Sequence, residues 1–169
     1  NDEFIHRYFN DYGFNPIHMV NFYKDMDKEF TLISNRMREK LNKRYTIRYA
    51  DFSNMEEEAK VYTRINNDAF RDHLFYYERV EEEDLELFKD FKLLLKKEHL
   101  LFVEKDGVEV GFMLWYPDFH QIMEQRETVG LKTIINYIVK NNKITKFKLV
   151  EMGVITEEQK NDAILALFD

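Results

Sequence analysis

Apolar and polar positions alternate along this chain with two periods, and the switch between them marks its elements. Phe4, Ile5, Tyr8 and Phe9 recur at helical spacing between Asp2 and Gly13, and glycine is the usual C-terminal stop, so a short helix is predicted there. After Phe14-Asn15-Pro16, the run Ile17 to Tyr23 is rich in β-formers and reads as a strand. From about Met26 to Lys43, Phe30, Ile33, Met37 and Leu41 form the apolar stripe of a helix whose other face is charged. Tyr45 to Phe52 alternates as a strand, and Ser53-Asn54 then offers an N-cap to acids at 56–58. The helix that follows points Ala59, Tyr62, Ile65, Ala69 and Phe70 inward, and a second, from about Glu81 to Lys96, points Leu85, Phe88, Phe91, Leu94 and Leu95.

The clearest local signal spans His99 to Tyr116, two apolar strands around Asp106-Gly107, a pair suited to the positive φ angles of a tight hairpin. Pro117 closes it. A helix is predicted from about Leu131 to Lys140 with Ile134, Ile135 and Ile138 on its inner side, stopping at Asn141-Asn142. Phe147 to Val154 reads as a strand. Thr156-Glu157-Glu158-Gln159 has the form of a capping box, opening a helix that carries Ala163, Ile164, Leu165, Leu167 and Phe168.

Composition narrows the class. The 169 residues suffice for one domain, or for one domain with part of a neighbour, and 44% hydrophobic residues with few Gly or Pro exclude extended disorder. A net charge of -7 argues against a general nucleic-acid binder. The chain has no cysteine, no signal peptide and no apolar run of membrane-spanning length, which points to a cytoplasmic protein without membrane or disulfide chemistry. It begins at Asn1 and stops at Asp169 within an amphipathic helix, so a fragment of a longer protein is expected. The five histidines are scattered and suggest no metal site, and neither Ser34 nor Ser53 lies in a nucleophile elbow. No phosphate-cradling glycine pattern occurs.

The order strand, helix, helix, hairpin, strand, helix from Tyr45 to Asp169 resembles the GNAT acyltransferase superfamily. Tyr45-Thr-Ile-Arg-Tyr-Ala-Asp-Phe52 is similar to its opening strand, the segment Val61 to Phe70 to its first helix, Leu101 to Leu114 to its central hairpin, and Lys148 to Val154 to its cofactor-side strand. The resemblance implies an α/β fold, a mixed and mostly antiparallel twisted sheet flanked by helices, covering 45–169 and truncated after the helix that follows the fourth strand. It also implies that residues 1–24 end a preceding unit of the same kind and that 25–44 form a connecting helix.

What the resemblance implies for function is acetyl transfer from acetyl-CoA to a small-molecule or peptide amine. Glu151 stands where such enzymes keep a general base, backbone groups of Met152, Gly153 and Val154 would polarise the acyl group, and Gln159, Asn161 and Ala163 fall in the cofactor loop. Tyr76, Tyr77 and Trp115 would line the acceptor pocket. The loop itself departs from the pattern: Asp162 and Ile164 stand where glycines are expected, and Glu157 and Glu158 put acids at the helix start, where they favour the helix by roughly 0.3–1 kcal/mol and disfavour a bound anion. The alternative is therefore a non-catalytic GNAT-like module that binds its partner through the aromatic groove. Lys140, Lys143, Lys146 and Lys148 form a basic stretch that suits an exposed strand edge, the phosphates of coenzyme A or an acidic partner. A homo-oligomer, or a neighbouring domain in a longer chain, is the expected assembly.

Overall fold

The computed structural model describes residues 2–17, 33–124, 128–140 and 143–168. The chain divides into two compact units, Asn1–Phe30 and Thr31–Asp169. In the first, helix α1 (Asp2–Asp11) stacks Tyr8 between Phe4 and Tyr12, with ring centroids 6.4 and 4.8 Å away. Gly13 ends it as the spacing predicts: its φ of +83° turns the chain so that the Phe14 N–H donates to the Phe9 carbonyl at 3.1 Å. The strand expected at 17–23 lies outside the described residues, save Ile17, which belongs to no regular element.

The second unit is built on a four-stranded antiparallel sheet in the order β1 (Thr46–Tyr49), β2 (Leu100–Lys105), β3 (Val108–Pro117), β4 (Phe147–Val154). β2 and β3 form the predicted hairpin, with φ of +53° at Asp106 and +78° at Gly107. Helices α3 (Met55–Phe70) and α4 (Glu81–Phe91) cover one face, packing Tyr62, Ile65 and Phe88 on Leu100, Phe102, Phe112 and Leu114. On the other, α2 (Asn35–Leu41) and α6 (Ala163–Ala166) bring Leu41, Ala163 and Ala166 onto Val103, Val110 and Met113. Helix α5 (Leu131–Lys140) closes a third cluster of Leu94, Phe119, Ile122 and Tyr137.

Two irregularities shape the sheet. Glu104 pairs with Glu109 while Val103 pairs with Gly111, so Val110 is an extra residue on β3. Leu114 pairs with Glu151 while Trp115 pairs with Leu149, which leaves Val150 as a bulge in β4. A Cβ on Gly111 would lie 2.6 Å from a Val154 methyl, so only glycine lets these strands close here.

Four helical expectations need correction. The helix drawn across 26–43 cannot be continuous, because Ser34 is extended (ψ 157°) and caps α2 by accepting the Met37 N–H; residues 26–32 lie outside the description. The segment expected to be a connector contributes Ile33 and Leu41 to the core of the second unit. The second long helix stops at Phe91 rather than Lys96, since the Phe91 carbonyl takes the Leu94 and Leu95 N–H groups in a turn that drops Leu94 into the third cluster. In α5 the inner side is Thr133, Ile134 and Tyr137, fixed by the edge-on contact of Tyr137 with Phe119 at 5.2 Å, and Ile135 and Ile138 face outward. The fourth, the capping box, is corrected below with the loop it was assigned to. Among the described residues no helix is long and apolar enough to cross a membrane.

Candidate functional site

Glu151 follows the Val150 bulge and pairs with Leu114, whose side chain packs under α3, so alternation brings the carboxylate to that face. There Tyr62, one of the most buried side chains in the protein, donates its hydroxyl to Glu151 Oε2. Its ring is wedged against Phe112 (4.7 Å) and Phe88 (5.3 Å), which locks the donor in place. Burial, reinforced by the Glu151 charge, pushes the Tyr62 phenol up, so it remains a proton donor throughout the neutral range.

Arg79 completes the group. Its guanidinium lies 5.2 Å over the Tyr62 ring, donates from Nε to Asp84 Oδ1 at 3.0 Å, and approaches Glu151 Oε2 to 3.9 Å. Burial alone would lower the Arg79 pKa, but the hydrogen bonds and charge of Asp84 outweigh it and raise it. Asp84 is held in turn by the Thr63 hydroxyl at 2.6 Å. Both Glu151 contacts are made by Oε2, and among the described residues Oε1 has no partner.

Of these groups, Glu151 and Arg79 line a cleft of about 370 Å³ at the C-terminal end of α3, and Tyr62 and Asp84 hold them from the buried side. Val150 and Met152 flank Glu151 along it, and Phe70, His73, Phe75, Tyr76 and Tyr77 supply an aromatic rim. The rim is tied down by Asn67, whose amide donates to the Arg79 carbonyl (2.9 Å) and accepts the Arg79 N–H (2.8 Å), and by His73 Nδ1, which accepts the Phe75 N–H at 3.2 Å. Asn66 also lines the cleft. It is only 4% exposed, and its Nδ2 has no hydrogen-bond partner among the described residues.

The structure therefore brings Glu151, Met152, Tyr76 and Tyr77 together and places Trp115 elsewhere. Trp115 follows Leu114 on β3 and points to the opposite face, where it packs edge-on against His99 (4.7 Å) and Phe147 (5.7 Å). There it lines a wider groove of about 720 Å³ with Tyr45, Tyr49, Leu101 and Leu167. Sequence reasoning missed Asn66, Tyr62 and Arg79 as site residues. Asn66 carried the available signal, as a polar residue beside the apolar stripe of α3 and one turn beyond Tyr62.

Gly153 faces the last turn of α3; a Cβ there would meet the Ala69 Cβ at 3.0 Å and the Phe70 ring at 3.2 Å. Val154 pairs with Gly111 in the core. Beyond them, the loop is held by hydrogen bonds to its own fold. Ile155 N–H donates to the Val110 carbonyl (2.8 Å), Thr156 N–H to the Asp68 carboxylate (2.6 Å), Glu158 N–H to Ile155 (2.8 Å) and Asn161 N–H to Glu158 (3.0 Å). The predicted capping box is absent. The Thr156 hydroxyl donates to the Asp68 carbonyl (3.2 Å) and the Gln159 amide to the Ala69 carbonyl (3.0 Å), so neither caps a helix, and α6 begins only at Ala163. The cause is competition: carbonyls in the last turn of α3 lack intrahelical donors, and the loop lies close enough to satisfy them.

The remaining candidates in this loop are equally engaged. The Asn161 amide donates to the Glu157 carbonyl at 3.2 Å, and Ala163 is fully buried. Glu158 is buried between Lys105 (2.5 Å) and the Tyr45 hydroxyl (2.8 Å); burial would raise its pKa, but these two donors outweigh it and hold it below the usual carboxylate value. Asp162 pairs with Lys40 at 2.8 Å, and Asp68 is held low chiefly by the Thr156 N–H. Among the described residues no three or more His, Cys, Asp or Glu are placed to hold a metal ion.

The mixed α/β architecture, an antiparallel sheet with helices on both faces, resembles solved GNAT acetyltransferases. Similar structures include a GNAT family acetyltransferase from Brucella melitensis in complex with acetyl-CoA (16% identity, 73% of this chain and 63% of that chain, TM-score 0.46). Another is an N-acetyltransferase from Staphylococcus aureus Mu50 (14% identity, 73% and 61%, TM-score 0.44). The chain thus spans about three fifths of the length of each. No protein-family model and no curated protein matches the sequence.

Proposed function

We propose that the cleft beside Glu151 binds a primary amine, free or at the end of a peptide, and that the domain is a GNAT-like binding module whose loop after β4 has lost the coenzyme A diphosphate. The observation that carries the amine is the charge balance of a cleft walled by aromatics. Of the two charged residues that line it, Arg79 is committed to the buried Asp84 behind the wall, while Glu151 Oε1 has no protein partner among the described residues. A cation on an aromatic rim is stabilised both by the carboxylate and by the ring faces.

The loss of the cofactor site is supported by the hydrogen bonds of the loop. A diphosphate needs free backbone N–H groups and close approach, whereas here the Thr156 N–H is given to the Asp68 carboxylate, those of Glu158, Gln159 and Asn161 donate within the loop, and Glu157 adds a negative charge at its start. Acetyl-CoA therefore does not fit these residues in this arrangement. Acetyl transfer to the bound amine is the second reading, favoured by the position of Glu151 on β4, which is the edge strand of the sheet and keeps outward N–H groups unpaired by β3.

Calorimetric titration of the 169-residue chain separates the two readings. Phenethylamine should give a saturable heat that Glu151→Gln weakens at least about tenfold, the loss of one charge-assisted contact, and acetyl-CoA at millimolar concentration should give none. Absence of phenethylamine binding overturns the cleft assignment; saturable acetyl-CoA binding overturns the module reading in favour of transfer.

A further inference from the structure

Asn66 is an anomaly for a folded core. It sits in the C-terminal half of α3, is almost wholly buried, and leaves Nδ2 without a hydrogen bond among the described residues. Burying a donor without an acceptor is costly, and buried polar groups are nearly always satisfied. The neighbouring Asn67 shows what an asparagine here does when it serves the fold, since its amide is used on both sides to clamp Arg79. Asn66 instead lines the cleft.

Its place relative to Glu151 is informative. Asn66 lies four residues beyond Tyr62 on the same face of α3, and Tyr62 donates to Glu151. Asn66 and Glu151 both line the cleft, and the residue that donates to Glu151 stands one helical turn, roughly 6 Å of helix rise, from Asn66. A ligand that engages both residues carries an ammonium for Glu151 and an acceptor oxygen for Asn66.

We propose that Asn66 is a specificity-determining residue of the cleft, donating from Nδ2 to the carbonyl oxygen of an α-amino carbonyl ligand whose ammonium rests on Glu151. The ligand class is an amino-acid amide or the N-terminal residue of a peptide, with its side chain against Phe70, Tyr76 and Tyr77. This rests on the amine-binding reading above and adds to it the acceptor that a simple amine lacks. A site with an unpaired donor discriminates strongly against ligands that leave it unpaired.

The test compares phenylalaninamide with phenethylamine, which lacks only the carboxamide, on the full chain near pH 6, where both carry the ammonium. The wild-type chain should bind phenylalaninamide at least about tenfold more tightly than phenethylamine, and Asn66→Leu should bring that ratio to near one. The wild-type chain also gives a readout that needs no variant: the Asn66 side-chain amide resonances in a ¹⁵N-labelled sample should shift with phenylalaninamide and not with phenethylamine. Equal affinity for the two ligands, or an unshifted Asn66 amide at saturation, overturns the assignment of Asn66 and leaves the amine cleft standing. Failure of both ligands to bind overturns the cleft itself.

Discussion

Replacing Lys105 by methionine tests what holds the loop after β4. Glu158 is 4% exposed and has two charge-compensating donors, Lys105 at 2.5 Å and Tyr45 at 2.8 Å. Lys105→Met removes the cation paired with it among the described residues and leaves the buried carboxylate to the Tyr45 hydroxyl and the Asn161 side chain. Breaking a buried pair from one side costs about 3–5 kcal/mol, and since the Lys105 side chain is 34% exposed, water screens the pair and the expected loss is nearer ~2–3 kcal/mol. The pH dependence gives the mechanism a signature. In the wild-type protein Glu158 is held below its unfolded value, so it contributes stability above about pH 4.5 that is lost as pH falls through the folded pKa. In the variant, burial is no longer outweighed by Lys105, the carboxyl takes up a proton more readily, and acid relieves the penalty. Urea unfolding followed by circular dichroism should therefore show a deficit of ~2–3 kcal/mol at pH 7 that narrows at pH 5. A deficit below about 0.5 kcal/mol, within the range of ordinary surface substitutions, or one that is the same at both pH values would refute the reasoning.

Two further outcomes follow from buried groups. His99 is 2% exposed and burial pulls its pKa from 6.5 to about 4, so below pH 6.5 the unfolded chain takes up a proton that the folded one resists; stability should fall by up to ~3 kcal/mol between pH 6.5 and 4, and thermal unfolding of His99→Gln should lack this limb. Gly111→Ala would place a Cβ 2.6 and 2.8 Å from methyls of Val154 and Val103 and 2.9 Å from the Gly153 carbonyl, where backbone cannot yield, and should cost about 2–3 kcal/mol in a urea midpoint measurement.

The parts of the fold that were legible in the sequence are those governed by local rules. Asp106-Gly107 dictates its hairpin because few other residues accept two successive positive φ angles, and the stripe Ala59, Tyr62, Ile65 identifies the inner face of α3 because burial and period agree. The misreadings arise where a distant partner wins over the local rule. Thr156 and Gln159 have the spacing of a capping box, yet the carbonyls of Asp68 and Ala69, far off in sequence, take their donors. Glu158 looked like a first-turn acid and is instead the partner of Lys105 and Tyr45, both remote along the chain. In α5, Ile135 and Ile138 are the better apolar residues, but the ring contact of Tyr137 with Phe119 sets the rotation of the helix. The site was legible in part for the same reason. Glu151, Tyr76 and Tyr77 could be placed from element order, whereas the face of the sheet that Trp115 occupies depends on a single step of alternation next to the Val150 bulge. Asn66 has no motif; what sets it apart is a buried Nδ2 without a hydrogen-bond partner among the described residues.

The two-sided clamp of Asn67 on the backbone of Arg79 bears on the entropy of recognition. By tying the far end of the 71–78 segment to α3, it fixes the route of the chain that carries Phe75, Tyr76 and Tyr77. The ordering of that backbone then belongs largely to folding, and little of it is left to oppose association. Ordering a rotamer-rich side chain at an interface costs about 0.5–1.5 kcal/mol. A ligand entering between the rings meets a backbone already arranged, so its affinity would be governed more by how fast it leaves than by a search for the right loop conformation.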